Sequence, residues 1–102
     1  MSVYVDDMEA PFGRMKMCHM VADTREELLA MADTIGVARK WIQKPEGHPV
    51  EVHFDIALSK RALAIAAGAQ LVSFRWVGYR QYRLKQGLPV TPYADWNGKH
   101  DG

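Results

Sequence analysis

A chain of 102 residues, 48% hydrophobic and 25% charged, has the size of one domain with one modest core, which excludes a two-domain, disordered or collagen-like polypeptide. No window approaches the roughly 18–20 consecutive apolar residues of a membrane span, the first residues lack a signal peptide's basic and apolar regions, and the lone Cys18 can form no internal disulfide; a reducing cytoplasm without a membrane partner is expected. The net charge of +1 conceals a split, since residues 1–35 carry three Lys/Arg against seven Asp/Glu while 74–102 carry five against two, a pattern that fits a cation-binding edge opposite a phosphate-facing one but arises more often from solvated faces.

Ser2–Asp6 is short, β-branched and aromatic and reads as a first strand, followed by a loop through Ala10-Pro11-Phe12-Gly13. Met15–Val21 follows a period of two that sets Met15, Met17 and His19 on one face and Cys18 on the other. This second strand is expected to turn its methionines into the core rather than toward a soft metal. Thr24 as N-cap, with Glu27 three residues on and each serving the other's free amide, opens a helix over 25–35. Leu28, Met31, Ala32 and Ile35 form its apolar stripe and Gly36 its left-handed terminator.

Val37–Lys44 reads as a strand or an irregular helical turn, with the strand preferred, and Trp41-Ile42 within it suits either the core or a dimer contact. Val50–Asp55 alternates as a strand with His53 and Asp55 on one face. Ser59 is the expected N-cap of a second helix, Lys60–Ala67, which Gly68 ends before an apolar strand at Ala69–Ser73. That order gives the crossover unit of an α/β sheet. Phe74–Gln86, between Ser73 and Gly87, reads as a helix, the alternative being a strand pair bent at Gly78. The fold class expected is α/β: a single small layered domain over 1–87, with a short mixed sheet and two or three helices, then an extended or partly disordered tail over 88–102.

Asp6, Asp7, His19, His53 and Asp55 fall near strand ends, where carboxylates and imidazoles can converge on a divalent cation that activates water or neutralises phosphate. Asp6, His19, His53 and Asp55 are the candidate metal ligands. Against this stands the lack of a closed motif such as His-Glu-x-x-His, and Asp23 and Asp55 also suit helix caps. Lys60 and Arg61 at the start of the second helix suit a docked phosphate or a salt bridge to Asp55 equally well. Arg75, Arg80, Arg83 and Lys85 with Trp76, Tyr79 and Tyr82 suit weak nucleic-acid binding, although an amphipathic core helix is the commoner reading. Cys18 has no partner base, and the chain has no phosphate-binding glycine loop and no Gly-x-Ser-x-Gly.

Val3-Tyr4-Val5-Asp6-Asp7, Gly13-Arg14, Cys18-His19-Met20-Val21-Ala22-Asp23-Thr24 with Glu27-Leu28, and His53-Phe54-Asp55 followed by Lys60-Arg61 and Gly68-Ala69 stand together here. In that combination, over residues 2–72, the chain resembles a family of short bacterial and phage proteins catalogued only as a domain of unknown function. The resemblance implies a small stand-alone protein, often phage-encoded, without an established activity. Asp6, Arg14, His19, Asp23, His53, Asp55 and Arg61 match its recurring polar pattern, while the basic aromatic stretch from Phe74 lies beyond it and reads as particular to this branch. The expected function is phosphate-directed: a nucleotide or nucleic-acid phosphate held near His19, His53 and Asp55 through a divalent cation, with Arg14, Lys60 or Arg61 adding positive charge. Hydrolysis is a further step whose base the spacing does not identify. The rival is a non-enzymatic accessory module that binds a host protein or oligomerises, its polar set serving as caps and buried hydrogen bonds.

Overall fold

The computed structural model describes residues 2–96. Five strands and three helices follow one another as β1 Val3–Asp6, β2 Ala10–Phe12, β3 Met15–Ala22, α1 Arg25–Ile35, β4 Phe54–Ala57, α2 Leu58–Ala66, β5 Gln70–Val72 and α3 Phe74–Lys85. This is a small α/β domain around a mixed sheet. Met20 pairs with Val5 and with Phe54, and Met17 with Ala10 and with Ala57, so β1 and β2 lie end to end along one side of β3 and β4 along the other, all antiparallel to it. β5 lies parallel to β1 on its far side, which makes β4–α2–β5 the crossover.

Alternation along the strands separates two cores. Val3, Val5, Cys18, Met20, Phe54 and Ile56 pack against Leu28, Ala32 and Ile35 of α1 and Ala64 of α2. On the opposite face Val21, Val72 and the half-buried Tyr4 meet Trp76 and Val77 of α3. The three layers are helix pair, sheet and α3. His19 and Asp55 therefore look toward α3, away from α1 and α2.

α1 has the bounds its stripe and caps predict. Thr24 accepts the Glu27 amide at 3.2 Å, but the Glu27 carboxylate accepts the Thr24 hydroxyl at 2.9 Å rather than returning to a backbone amide. Gly36, at φ 78°, closes the helix, with the Val37 amide donating to the Ala32 carbonyl at 2.8 Å. Thr24→Ala should lower stability by about 1 kcal/mol, read from thermal melts.

Other expectations are corrected. Ala10–Phe12 is an edge strand, where Pro11 is tolerated, and Gly13 at φ 61° opens the two-residue turn into β3. Met15 is 49% exposed and Met17 half-buried, because that end of the hairpin stands outside both cores. Residues 37–44 form a 3-10 turn at Arg39–Trp41, with only Gln43 bridging to His53. Pro49 starts another 3-10 turn, Pro49–Glu51, so β4 begins at Phe54 and not at Val50. Ala57 still pairs with Met17 and passes directly into α2, so Ala57 is the N-cap, Ser59 is already helical and Asp55 is a strand residue. Gly68, at φ 109°, does end α2.

Past Gly87 the chain folds back over α3. The Trp76 indole donates to the Thr91 carbonyl at 2.9 Å, the Thr91 amide to the Tyr79 hydroxyl at 3.1 Å and the Arg83 guanidinium to the Pro89 carbonyl at 2.8 Å. The Trp96 ring lies 5.5 Å from that of Tyr79. Positions 97–102 of the expected tail lie outside the described residues. No helix among the described residues is long and apolar enough to cross a membrane.

Candidate metal centre

The site starts from a break in strand pairing. Between the pairs Val5 with Met20 and Ala10 with Met17, residues 6–9 stand opposite only Cys18 and His19, so the His19 amide has no strand partner. Asp6, 1% exposed, fills the break: its Oδ1 accepts the amides of His19 at 2.9 Å and Met8 at 3.3 Å, and its Oδ2 accepts His19 Nδ1 at 2.7 Å. With its Nδ1 bound to a carboxylate, the His19 ring presents Nε2 outward. The bond to Asp6 raises the His19 pKa above its ordinary value, against the opposing effect of partial burial.

Across β3 and β4, His19 pairs with Asp55. The His19 amide points toward β1, so this is the pair without backbone hydrogen bonds to β4, the kind whose side chains approach most closely. His53, two residues before Asp55, shares its face. The His53 Nδ1 lies 2.7 Å from the Glu51 carbonyl, which can only accept, so this ring also presents Nε2. The two Nε2 atoms lie 3.7 Å (His19) and 3.4 Å (His53) from Oδ1 of Asp55, with ring centroids 5.6 Å apart. One ligand atom from each of His19, His53 and Asp55 falls within a 4.8 Å set. Bonds of about 2.0–2.2 Å place adjacent ligands roughly 3–3.5 Å apart, so the two histidine–carboxylate distances already suit an ion while the widest pair of the set has to close by roughly 1 Å to hold one. Two imidazoles and one carboxylate are a donor set suited to zinc, manganese or iron more than to magnesium.

Asp6, expected among the ligands, lies outside this trio: its oxygens are occupied by His19 and Met8, and it orients the His19 ring. Asp7 is not in the cluster either, since its carboxylate accepts the Phe74 amide at 2.8 Å at the start of α3. The expected basic residues lie elsewhere. Arg61, on the far side of the sheet, donates to the carbonyls of Asp6 at 3.1 Å and Met8 at 3.2 Å and approaches Glu9, which leaves Asp55 free of it. The Lys60 ammonium sits beside Gly36 at the negative end of α1. Arg14 is exposed in the hairpin turn, five residues along the chain from His19 and so roughly 16 Å away. Asp23 accepts from the Ser2 amide, the Tyr4 hydroxyl and Arg80, holding the chain entry to α1.

The basic aromatic surface is corrected as well. Arg80 is 6% exposed, its guanidinium 5.1 Å from the Tyr4 ring centroid and 3.2 Å from Asp23 Oδ1, and Trp76 is 2% exposed. Lys85 pairs with Glu51 at 2.8 Å, while Arg83 and Tyr79 hold the returning chain. Arg75 and Tyr82 are exposed or nearly so, Arg75 lying 6.0 Å over the Phe74 ring. A helix surface with its central Arg and Trp turned inward is a lid on the second core. Cys18 is buried on the other face and burial pushes its thiol up to about 11, which keeps it protonated and unreactive.

Beside the two histidines lies a cavity of about 200 Å3, walled by Val21 and Met8 from the sheet side and by Phe74, Val77, Gly78 and Gln81 from α3. These four helical residues recur at i, i+3, i+4 and i+7, a stripe that the sequence carries but that its buried neighbours Trp76 and Arg80 obscure.

A family model described as "Protein of unknown function (DUF4031)" matches residues 3–84. The match runs on through most of α3, so the basic aromatic helix falls within the family's common span and is not an addition of one branch. No curated protein and no solved structure matches the chain.

Proposed function

The chain belongs to this family of unknown function, DUF4031, and on that footing we propose that it is a metal-dependent, phosphate-directed domain whose divalent cation is held by Nε2 of His19, Nε2 of His53 and the carboxylate of Asp55. The observation that carries the reading is the matched anchoring of the two rings: each Nδ1 is tied to an acceptor, Asp6 or the Glu51 carbonyl, and each Nε2 is turned to the same carboxylate oxygen. Metal-binding histidines are held in this way by second partners that fix tautomer and orientation. Three protein ligands leave coordination positions for a phosphate oxygen or a water molecule, and the cation supplies the positive charge that Arg14, Lys60 and Arg61 do not bring. With Arg80 and Trp76 internal, a nucleotide or another small phosphate ester fits the domain better than a nucleic-acid polymer.

Metal-free protein titrated with Zn2+, Mn2+ and Mg2+ should bind Zn2+ or Mn2+ at one site, melt at a higher temperature when loaded, and bind inorganic phosphate only when loaded. The imidazole resonances of His19 and His53 should shift, and those of His48 should not. Turnover of p-nitrophenyl phosphate would extend the reading from binding to hydrolysis. Indifference to all three ions would sink it and favour the interaction module, with the histidines as structural hydrogen-bonding groups.

A further inference from the structure

Gly78 stands in the middle of α3, at a helical backbone conformation that any residue adopts, where a glycine weakens the helix relative to alanine. Nothing in the packing calls for it. A Cβ built there would meet no atom within 4 Å, and Gly78, itself exposed, is one of the residues lining the open cavity of about 200 Å3 beside His19 and His53. Other cavity walls are apolar, Val21 and Val77 at the inner end and Phe74, 43% exposed, at the side, while the polar groups gather at the histidine end. Gln81 at the rim already gives its amide nitrogen to the Val50 carbonyl at 3.2 Å.

Resting on the metal reading above, we propose that this cavity is the seat for the organic group of the phosphate ester, and that Gly78 sets its size. An apolar cavity of ~150 Å3 accommodates a benzene ring, so this one takes a single ring or a short branched chain whose phosphate reaches the cation between His19, His53 and Asp55. The ligand class is a monoester or diester with one small, largely apolar group next to the phosphorus. A sugar–base pair fits only with one part outside.

The experiment compares phenyl phosphate, inorganic phosphate and phenol on wild type, Gly78→Ala and Gly78→Leu, by calorimetry and by the NMR shifts of the Val21 and Val77 methyls. Metal-loaded wild type should bind phenyl phosphate at least about tenfold more tightly than inorganic phosphate, as expected for a buried ring. Gly78→Leu should bind metal and inorganic phosphate as wild type does and lose that tenfold preference. Gly78→Ala should melt about 3–6 °C higher, since helix propensity rises and nothing clashes, with a preference reduced but not lost. Phenol should shift the two valine methyls even in metal-free protein. Should metal bind while phenyl phosphate gains nothing over phosphate, or should Gly78→Leu keep the preference, the cavity proposal is overturned and the metal reading stands. Should no metal bind while phenol still enters the cavity of wild type and not of Gly78→Leu, the seat is supported and the metal reading fails.

Discussion

Asp6→Ala should lower the stability of the metal-free domain by about 3 kcal/mol and weaken metal binding by about 10–100-fold. The stability loss follows from the two amides, of His19 and Met8, and the ring nitrogen that the buried carboxylate satisfies, because orphaned buried donors are costly. Weaker metal binding follows because His19 loses the partner that fixes its tautomer. The same variant tests the pH dependence. The His19 pKa is raised in the folded state, so the pair's contribution is fully present below the unfolded value of about 6.5 and is lost as pH rises through the folded pKa. Urea unfolding of metal-free wild type should show this fall above about pH 6.5, and Asp6→Ala should flatten it. Metal affinity should run the other way and rise through the same window, since the ion needs an unprotonated Nε2. Equal slopes in wild type and variant would show that the pair is not the source.

Trp76→Ala should cost about 3–5 kcal/mol, a large share of the roughly 5–15 kcal/mol by which a domain is stable. Its ring is 2% exposed, packs on Tyr4 with centroids 5.1 Å apart and on Tyr93 at 6.0 Å, and its indole N–H ties down the returning chain at Thr91. The melting temperature should fall by on the order of 20 °C. A tryptophan kept for stacking on bases would behave differently, as surface substitutions seldom change stability by more than about 0.5 kcal/mol. A near-unchanged melt with lost oligonucleotide binding would reverse the assignment of α3 as a lid.

What could be read from the sequence depended on how many local signals agreed. α1 was legible because a cap, a 3.6-residue stripe and a glycine terminator all point to the same bounds. That His19, His53 and Asp55 could converge was legible in outline, since a period of two puts each on a definite face of its own strand, but the register that pairs His19 with Asp55 was not. β2 was hidden because Pro11 and Gly13 are loop residues by composition, and only an unpaired sheet edge makes a strand of them. Ser59 misled because a good capping residue says nothing about how far the preceding strand continues, and burial of Ile56 carried β4 to Ala57. Asp6 and Asp7 are neighbours of the same type, yet one sits at 1% exposure under His19 and the other caps α3. That division is made by tertiary packing alone. The same holds for Arg61 and Arg80, whose positive charges serve carbonyls, an aromatic ring and Asp23 instead of a ligand.

His19 and His53 meet only after β3 and β4 pair across the whole of residues 23–53, with α1 laid down between them. The first stretch carries one group of the trio and the second two, so the open chain offers an ion at most two ligands and little with which to seed its collapse. Joining strands so far apart in sequence is the kind of step that sets the pace of folding, and that pace belongs to the bare polypeptide. On the proposed reading, an ion arriving afterwards would bridge the two strands and act on the reverse path, as a latch to be released before they separate. A loaded centre would thus lengthen the lifetime of the folded domain without hastening its birth.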